Sequence, residues 1–274
     1  MISDTKVVAI GGGTGLSTML KGLKLHTHNI TAVVTVADDG GSSGILRSDL
    51  GMLAPGDVRN CVSALAEVDP VMGELLNFRF KDGSLKGHSL GNLFLAALNE
   101  TSSSFDEAVK KFSHLTGVVG TVYPVTNESV TLSALLEDGL IEGESHIGVH
   151  HDGPKNGIVK LMVNPEKPKA VDGVIKALEK ADIIVLGPGS LYTSIIPNLL
   201  VDGVVDAIKK SNAVKIYVCN IMSQAGETEN YTVSDHLAAI ERHSYEGIAD
   251  IVIANNAIIP ESLRIKYASE HARE

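Results

Sequence analysis

The sequence has no tryptophan, few aromatic residues of any kind (4%) and only two cysteines, Cys61 and Cys219. The two cysteines lack the paired spacing of a zinc site or of a disulfide framework, so we expect two buried free thiols in a reducing compartment. No run reaches the ~20 apolar residues that a membrane-spanning helix needs. No charged start followed by an apolar run marks a signal peptide. These absences favour a cytoplasmic protein without a membrane span.

Positive charge is also scarce, because 23 Lys and Arg residues face 33 Asp and Glu residues, which gives a net charge of −10. Nucleic acids and anionic membranes attract proteins with a positive field, so we expect neither as a partner. A small phosphorylated ligand stays open, since it needs only a local group of N–H donors. The composition is compatible with a homo-oligomer but does not require one.

What is present is an alternation of short apolar runs with helical patterns, over 274 residues that are 44% hydrophobic. This alternation predicts an α/β fold, a Rossmann-like doubly wound and mostly parallel sheet. Between about 118 and 166, short strands separated by turn residues predict an inserted β-rich segment of antiparallel or mixed pairing. We therefore expect a single domain over 1–274. Strands are predicted at 6–10, 30–37, 182–187, 214–220 and 250–255, and helices at 70–77, 170–180, 191–209 and 234–243, with a polar loop at 38–56.

Each of the predicted parallel strands is followed by residues rich in Gly, Ser, Thr, Asn or Asp. Ligands of open α/β sheets bind beyond the carboxyl ends of the strands, so these loops together predict a site. The first loop, "GGGTG", is neither the dinucleotide fingerprint, whose third glycine is replaced by Leu16, nor a P-loop. Glycines before a helix N-terminus nevertheless favour phosphate or diphosphate binding over a plain turn. The residues concerned are Gly11, Gly12, Gly13, Thr14 and Gly15.

A pair of acids, Asp38 and Asp39, ends the second strand in "ADDGGSSG". Carboxylates at this place bind ribose hydroxyls or hold a divalent cation such as Mg²⁺ beside phosphates, and the alternative is an exposed Asp-Gly turn. Downstream, "PGDVRN" places Asp57 as a predicted N-cap, followed by an arginine that suits a phosphate. Further candidate contacts in this region are Ser42, Ser43, Arg59 and Asn60.

The segment "GHSLG" fits the G-x-S-x-G pattern of a hydrolase nucleophile, here Ser89. That pattern needs a buried strand before the serine, and the preceding residues are polar. A loop-to-helix ligand contact through Ser89, Gly91 and Asn92 fits better. Two other strand ends add Gly189, Ser190, Tyr192 and Thr193 from "GPGSLYTS" and Asn220 from "VKIYVCN". The histidines of "HIGVHHDG", His146, His150 and His151, are predicted to lie on a solvated surface strand rather than at a metal.

Taken together, "GGGTGLS", "ADDGGSSGILR", "PGDVRNC", "GHSLGNLFL", "GLIEGES", "LGPGSLYTSIIPNLL" and "NIMSQAGET" resemble the gluconeogenesis factor family of bacteria, within the superfamily of 2-phospho-L-lactate transferase. The resemblance runs from residue 6 to about residue 267. It implies a cytoplasmic Rossmann-like protein that binds UDP-N-acetylglucosamine or an NAD-like ligand. The implied role is support of cell shape and of growth on gluconeogenic carbon sources.

The same resemblance implies an alternative, a Mg²⁺-dependent transferase that acts on a nucleoside diphosphate-linked substrate. By position, Gly11–Gly15 match the family's phosphate loop, and Asp39 and Asp57 match acidic positions near its metal. The two hypotheses are therefore a nucleotide-binding regulatory protein without turnover, and an enzyme in which Asp39 and Asp57 serve the metal. We favour the first.

Overall fold

The computed structural model describes residues 3–137, 139–148, 157–268 and 272. Strands lie at β1 (Val7–Gly11), β2 (Ile30–Val34), β3 (Thr121–Pro124), β4 (Thr131–Leu136), β5 (Gly139–Glu142), β6 (Lys160–Asn164), β7 (Ile183–Leu186), β8 (Val214–Val218) and β9 (Ile251–Ile253). Six of them form one parallel sheet in the order β3-β2-β1-β7-β8-β9. Counted within this sheet, the order is 3-2-1-4-5-6, that of a Rossmann fold. The predicted fold class is confirmed.

The remaining described strands form a separate antiparallel sheet, β5-β4-β6, which follows β3 and precedes β7 along the chain. The sequence-based boundary for this inserted segment is wrong at its start, because β3 pairs in parallel with β2 and so belongs to the main sheet. Val122 and Pro124 are the buried positions of β3. Four residues are too few for the pattern to separate a parallel edge strand from an antiparallel one.

Helices lie at α1 (Gly13–Leu23), α2 (Gly41–Leu50), α3 (Gly56–Leu65), α4 (Pro70–Asn77), α5 (Leu90–Glu100), α6 (Phe105–Leu115), α7 (Glu144–Ile147), α8 (Asp172–Glu179), α9 (Ile196–Leu199), α10 (Val204–Lys210), α11 (Val233–Arg242) and α12 (Glu261–Ala268). The helix predicted over 191–209 is three pieces, a π-helical turn (Leu191–Ile195), α9 and α10. Gly203, with φ at 86°, separates α9 from α10. None of the helices in the described ranges is long and apolar enough to cross a membrane.

The predicted loop at 38–56 contains a helix, α2, in spite of the two glycines within the helix. Its low intrinsic propensity is offset by contacts of Arg47. The guanidinium of Arg47 donates hydrogen bonds to the carbonyls of Ala37 (3.0 Å), Asp38 (3.1 Å) and Val130 (2.8 Å). One side chain thus ties α2 to the end of β2 and to the start of the inserted sheet, and this fixes the loop that carries the two acids.

The core is aliphatic, as expected from the scarcity of aromatics. Every residue of β1 is buried, and so are all but one of β2, which is typical of strands covered on both faces. Cys61 and Cys219 are buried and free, which confirms that prediction. Tyr192 is fully buried in this core, where its hydroxyl contacts the Tyr231 hydroxyl at 2.9 Å and donates to the Ile158 carbonyl at 3.2 Å.

Candidate functional site

The loop after β1 and the loop after β7 lie next to each other. Their strands are neighbours at the switch point of the sheet, where the order of the strands reverses. A Cβ atom added to Gly15 would lie 2.9 Å from the carbonyl oxygen of Pro188, and one added to Gly189 would lie 3.2 Å from the carbonyl oxygen of Gly12. A glycine is needed at position 15 because the backbones of these two loops approach each other closely there. This is the place where doubly wound folds bind their ligands.

A cavity of about 340 Å³ opens at this switch point. It is bounded by the start of α1, the end of β2, the first turn of α3, the short helix α7 and the loops after β7 and β8. Its lining residues are Gly13, Asp38, Asp57, Glu144, Ser145, Gly148, Ser190, Thr193, Ser194, Gln224 and Glu227. Four of these are acids and none is a cation, so the cavity is strongly acidic.

Asp57 lies against the N-terminus of α1. It is not the N-cap of its own helix, as predicted, because Pro55 takes that position. Its carboxylate instead accepts a hydrogen bond from the Gly13 N–H. Burial, and then the neighbouring charge of Asp38, raise the pKa of Asp57 to about 6 in spite of this hydrogen bond. A Cβ atom on Gly12 would lie 2.6 Å from Asp57 Oδ2, so Gly12 makes room for the carboxylate.

Glu227 takes the equivalent place on the β7 side. This carboxylate is 3% exposed and accepts from the Tyr192 N–H (3.0 Å), the Thr193 hydroxyl (3.2 Å) and the Gln224 amide (2.6 Å). Burial raises the pKa of Glu227 to about 7. The Gly13 N–H at the start of α1 and the Tyr192 N–H at the start of the π-helical turn are therefore already hydrogen-bonded to the chain's own carboxylates, Asp57 and Glu227.

Helix α7 brings Glu144 to the cavity, and Asp39 holds α7 in place. The two oxygens of Asp39 accept from the backbone N–H groups of Glu144 (2.9 Å) and Ser145 (2.8 Å). The pKa of Glu144 is raised to about 8. Burial is the largest cause, and it is followed by the charges of Asp38, Asp39, Glu227 and Asp57. Thus Asp38 lines the cavity, whereas Asp39 positions the helix that closes one side of it.

This arrangement is suited to a cation or to a ligand that brings one. Burial raises the pKa values of Asp57, Glu144 and Glu227, and the charges of neighbouring acids raise those of Asp57 and Glu144 further. No group of three or more possible ligands in the described ranges converges closely enough to hold a metal ion by itself. A Mg²⁺ ion, however, commonly takes one or two carboxylates and completes its shell with phosphate oxygens and water. Asp38 and Asp57 fit that partial shell.

The structure brings together five of the sequence-predicted site residues at the cavity: Gly13, Asp38, Asp57, Ser190 and Thr193. Four more lie immediately behind it, namely Gly12, Gly15, Gly189 and Asn220. The Asn220 amide accepts from the Gly189 N–H (3.2 Å) and donates to the Gly189 carbonyl (2.8 Å), and so fixes the β7 loop.

Other predicted contacts lie elsewhere. Tyr192 belongs to the core, Gly11 ends β1, and Thr14 is exposed on α1. A second set packs where α2, α3 and α5 meet, outside the cavity lining. That set comprises Ser42, Ser43, Arg59, Asn60, Ser89, Gly91 and Asn92. Ser89 caps α5 by accepting from the Asn92 N–H (3.2 Å), so the structure gives it a capping role.

Sequence reasoning missed six lining residues: Glu144, Ser145, Gly148, Ser194, Gln224 and Glu227. The sequence "IEGESHIGVH" was predicted to form a strand, but Gly143 has φ of 94° and α7 begins directly after it. His146 consequently lies on α7, and His150 and His151 lie outside the described residues. The Gly-Glu-Ser and Gly-Glu-Thr triplets at 143–145 and 226–228 were the available signal, because each places an acid directly after a glycine turn.

The fold and the cavity define a Rossmann-like α/β protein with an acidic site at its switch point. The chain belongs to the family described as 2-phospho-L-lactate transferase CofD, whose profile matches residues 7–274. It is 54% identical over 270 residues to "Putative gluconeogenesis factor" of Thermoanaerobacterium thermosulfurigenes, covering 98% of this chain and 83% of that protein. It is 52% identical over 268 residues to the protein of the same name in Clostridium acetobutylicum, covering 97% of this chain and 59% of that protein. Our chain thus spans about three fifths of the second relative.

The fold is also similar to a crystal structure of a member of the UPF0052 family from Bacillus halodurans. The TM-score is 0.94 at 45% identity, over 99% of this chain and 87% of that chain. The family predicted from the sequence motifs is therefore confirmed, as is the gluconeogenesis factor branch to which the relatives' names refer.

Proposed function

We propose that this protein binds a nucleotide-type ligand, UDP-N-acetylglucosamine or an NAD-like dinucleotide, at the switch-point cavity and acts as a regulatory protein without turnover. The observation that supports this proposal most strongly is the cavity itself. It lies between the loop of Gly13 and the loop of Ser190, in a sheet with the strand order of a Rossmann fold. The proposal includes a role in gluconeogenic growth and cell shape, action in the cytoplasm, and a single domain that carries the whole site.

The charges of the cavity favour joint binding of the nucleotide and a divalent cation. A diphosphate is negative, and so are Asp38, Asp57, Glu144 and Glu227 when ionised. Bringing these groups together costs free energy unless protons or a cation compensate. Asp38 and Asp57 would hold the cation, which supplies positive charge between carboxylates and phosphates. Glu227 and Asp57 would keep the loop N–H groups oriented.

Isothermal titration calorimetry with UDP-N-acetylglucosamine, NAD and GDP, each with Mg²⁺ and with EDTA, tests this proposal. We expect one of the three to bind below millimolar Kd with Mg²⁺ and about tenfold or more weaker in EDTA, as expected for the loss of a charge-assisted contact. Asp57→Asn should remove the Mg²⁺ effect, whereas Asp49→Asn, at an exposed position of α2, should retain it. If none of the three binds below millimolar Kd in either buffer, the proposal fails.

A Mg²⁺-dependent transferase that acts at a nucleoside diphosphate linkage is the second candidate. Two observations favour it: the description of the matching family and the raised pKa of Glu144 at about 8. A carboxyl group that keeps its proton near neutral pH can donate it to a leaving group. Product formation from a panel of nucleoside diphosphate-linked substrates should then occur with Mg²⁺ and be lost in Asp57→Asn, with the fold retained by circular dichroism. No turnover with the panel would count against this candidate.

A further inference from the structure

We propose that Arg59 and Arg79 form a second ligand site, for a phosphate-type dianion, on the surface between α3, α4 and the hairpin at residues 78–90. This site is separate from the switch-point cavity, whose lining includes neither arginine. The proposal goes beyond the nucleotide-binding function and does not depend on it.

Arg59 is held rigidly by its neighbours. It is 6% exposed, and its aliphatic stem crosses α5 at Gly91. A Cβ atom on Gly91 would lie 2.9 Å from Cδ and 3.1 Å from Cγ of Arg59, so a glycine is required to let the stem pass. The guanidinium then donates to the amide oxygens of Asn92 (3.3 Å) and Asn77 (2.8 Å). This fixes the direction of the fork.

The groups that hold Arg59 are neutral. Amide oxygens orient a guanidinium without cancelling its charge, whereas a structural buried arginine is normally paired with a carboxylate. In the described part of the chain no carboxylate lies within ion-pair distance of Arg59. Burial of a charge without a direct ion-pair partner costs free energy, and an anion that binds to the guanidinium offsets this cost.

Arg79 adds a second positive charge two residues beyond Asn77, whose amide oxygen accepts from Arg59. The chain around it forms a hairpin, in which Arg79 pairs with Ser89 across an isolated bridge. The guanidinium of Arg79 donates to the Gly87 carbonyl, which is again a neutral acceptor. Burial, and then the charge of Arg79, lower the pKa of Arg59, whereas the charge of Asp57 acts in the opposite direction. Among the described residues, neither arginine forms an ion pair with a carboxylate, although the chain has a net charge of −10.

The two arginines match a phosphate group in charge. A phosphate monoester carries about −1.5 to −2 at neutral pH, and a guanidinium fork binds two of its oxygens at once. Asn77 and Arg79 are exposed, so the ligand can enter from solvent on the α4 side. We therefore assign the site to inorganic phosphate or a small phosphate monoester rather than to the diphosphate of a nucleotide.

The decisive variant is Asn77→Asp, which places a carboxylate on the guanidinium of Arg59 while retaining the hydrogen bond. Inorganic phosphate is titrated calorimetrically into the wild type, Asn77→Asp, the exposed variant Arg79→Gln, and a control of identical charge change, Asn255→Asp on the exposed loop after β9. We expect saturable binding in the wild type. We expect affinity about tenfold or more weaker in Asn77→Asp and Arg79→Gln, and unchanged affinity in Asn255→Asp. Thermal melting confirms that each variant is folded.

The proposal fails if the wild type shows no saturable phosphate binding at about 10 mM, which is far above the range of specific affinities. It also fails if Asn77→Asp and the wild type bind phosphate equally. Loss of phosphate binding in Asp57→Asn would place the anion in the cavity and would likewise overturn the proposal. Titration of Asn77→Asp with UDP-N-acetylglucosamine and Mg²⁺ separates the two sites. Its nucleotide affinity should be that of the wild type, and a parallel loss would contradict the claim of separate sites.

Discussion

Replacement of Glu144 by Gln should stabilise the protein at neutral pH, because burying this carboxyl group among other acids costs the native state free energy. The pKa of Glu144 is raised from 4.5 to about 8 by burial and by the charges of four neighbouring acids. Between these two pH values the unfolded chain releases the proton while the folded chain holds it. The free energy of unfolding therefore falls as pH rises through this window.

The size of the effect follows from the shift. Each pH unit inside the window costs about 1.4 kcal/mol, which sums to roughly 2 to 3 kcal/mol between pH 5 and pH 7. Glu144 is only partly buried, and water that reaches it reduces this to about 2 kcal/mol. Gln has the shape of the protonated side chain, so Glu144→Gln should remove this part of the pH dependence. For a chain of this size, about 2 kcal/mol corresponds to about 4 to 8 °C in Tm.

Urea denaturation of the wild type and Glu144→Gln at pH 5, 6 and 7 measures the effect, with Glu246→Gln at an exposed turn as the control. We expect the variant to gain stability relative to the wild type as pH rises, and the control to follow the wild type. A constant difference between Glu144→Gln and the wild type across the three pH values would refute the reasoning. It would mean that the four acids that line the cavity do not share one poorly solvated space.

Three further predictions concern the scaffold of the site. Gly15→Ala should destabilise the protein by roughly 1 to 3 kcal/mol, measured by urea denaturation, because the new Cβ would lie 2.9 Å from the Pro188 carbonyl oxygen; unchanged stability would mean that the two loops are not in contact. Asp39→Ala should cost about 1 kcal/mol and weaken nucleotide binding measured by calorimetry, because α7 loses both backbone contacts, whereas Asp49→Ala should do neither. Arg47→Met should increase hydrogen exchange of α2 amides, since three carbonyl contacts are lost; unaltered protection would show that α2 is stable without them.

The α/β architecture was predictable because the buried parallel strands read as continuous aliphatic runs, such as "KVVAI" and "DIIVLG". Their polar carboxyl ends also predicted where a site would form. Helix α4 lies where the sequence predicts it, at Pro70–Asn77, because a proline at the first position and Asp69 as N-cap are local signals. These features depend on neighbours in the sequence and not on the tertiary structure.

The parts that sequence reasoning missed depend on tertiary contacts. Helix α2 is rich in glycine and is held by Arg47, whose acceptors include Val130, a residue 83 positions further along the chain. Asp39 was predicted to hold ribose or a metal, but its oxygens contact the N–H groups of α7, more than 100 positions away. Arg59 was assigned to the strand-end site, yet its stem passes Gly91 to reach Asn77. No local pattern indicates where these polar side chains point.

The central claim is that an acidic cavity at the switch point binds a nucleotide together with a divalent cation. Calorimetric titration of the protein with UDP-N-acetylglucosamine in the presence and absence of Mg²⁺, for the wild type and Asp57→Asn, tests it most directly. Mg²⁺ should tighten binding about tenfold or more in the wild type and have little effect in Asp57→Asn. Binding of equal affinity with and without Mg²⁺, at a pH where the acids are ionised, would contradict it.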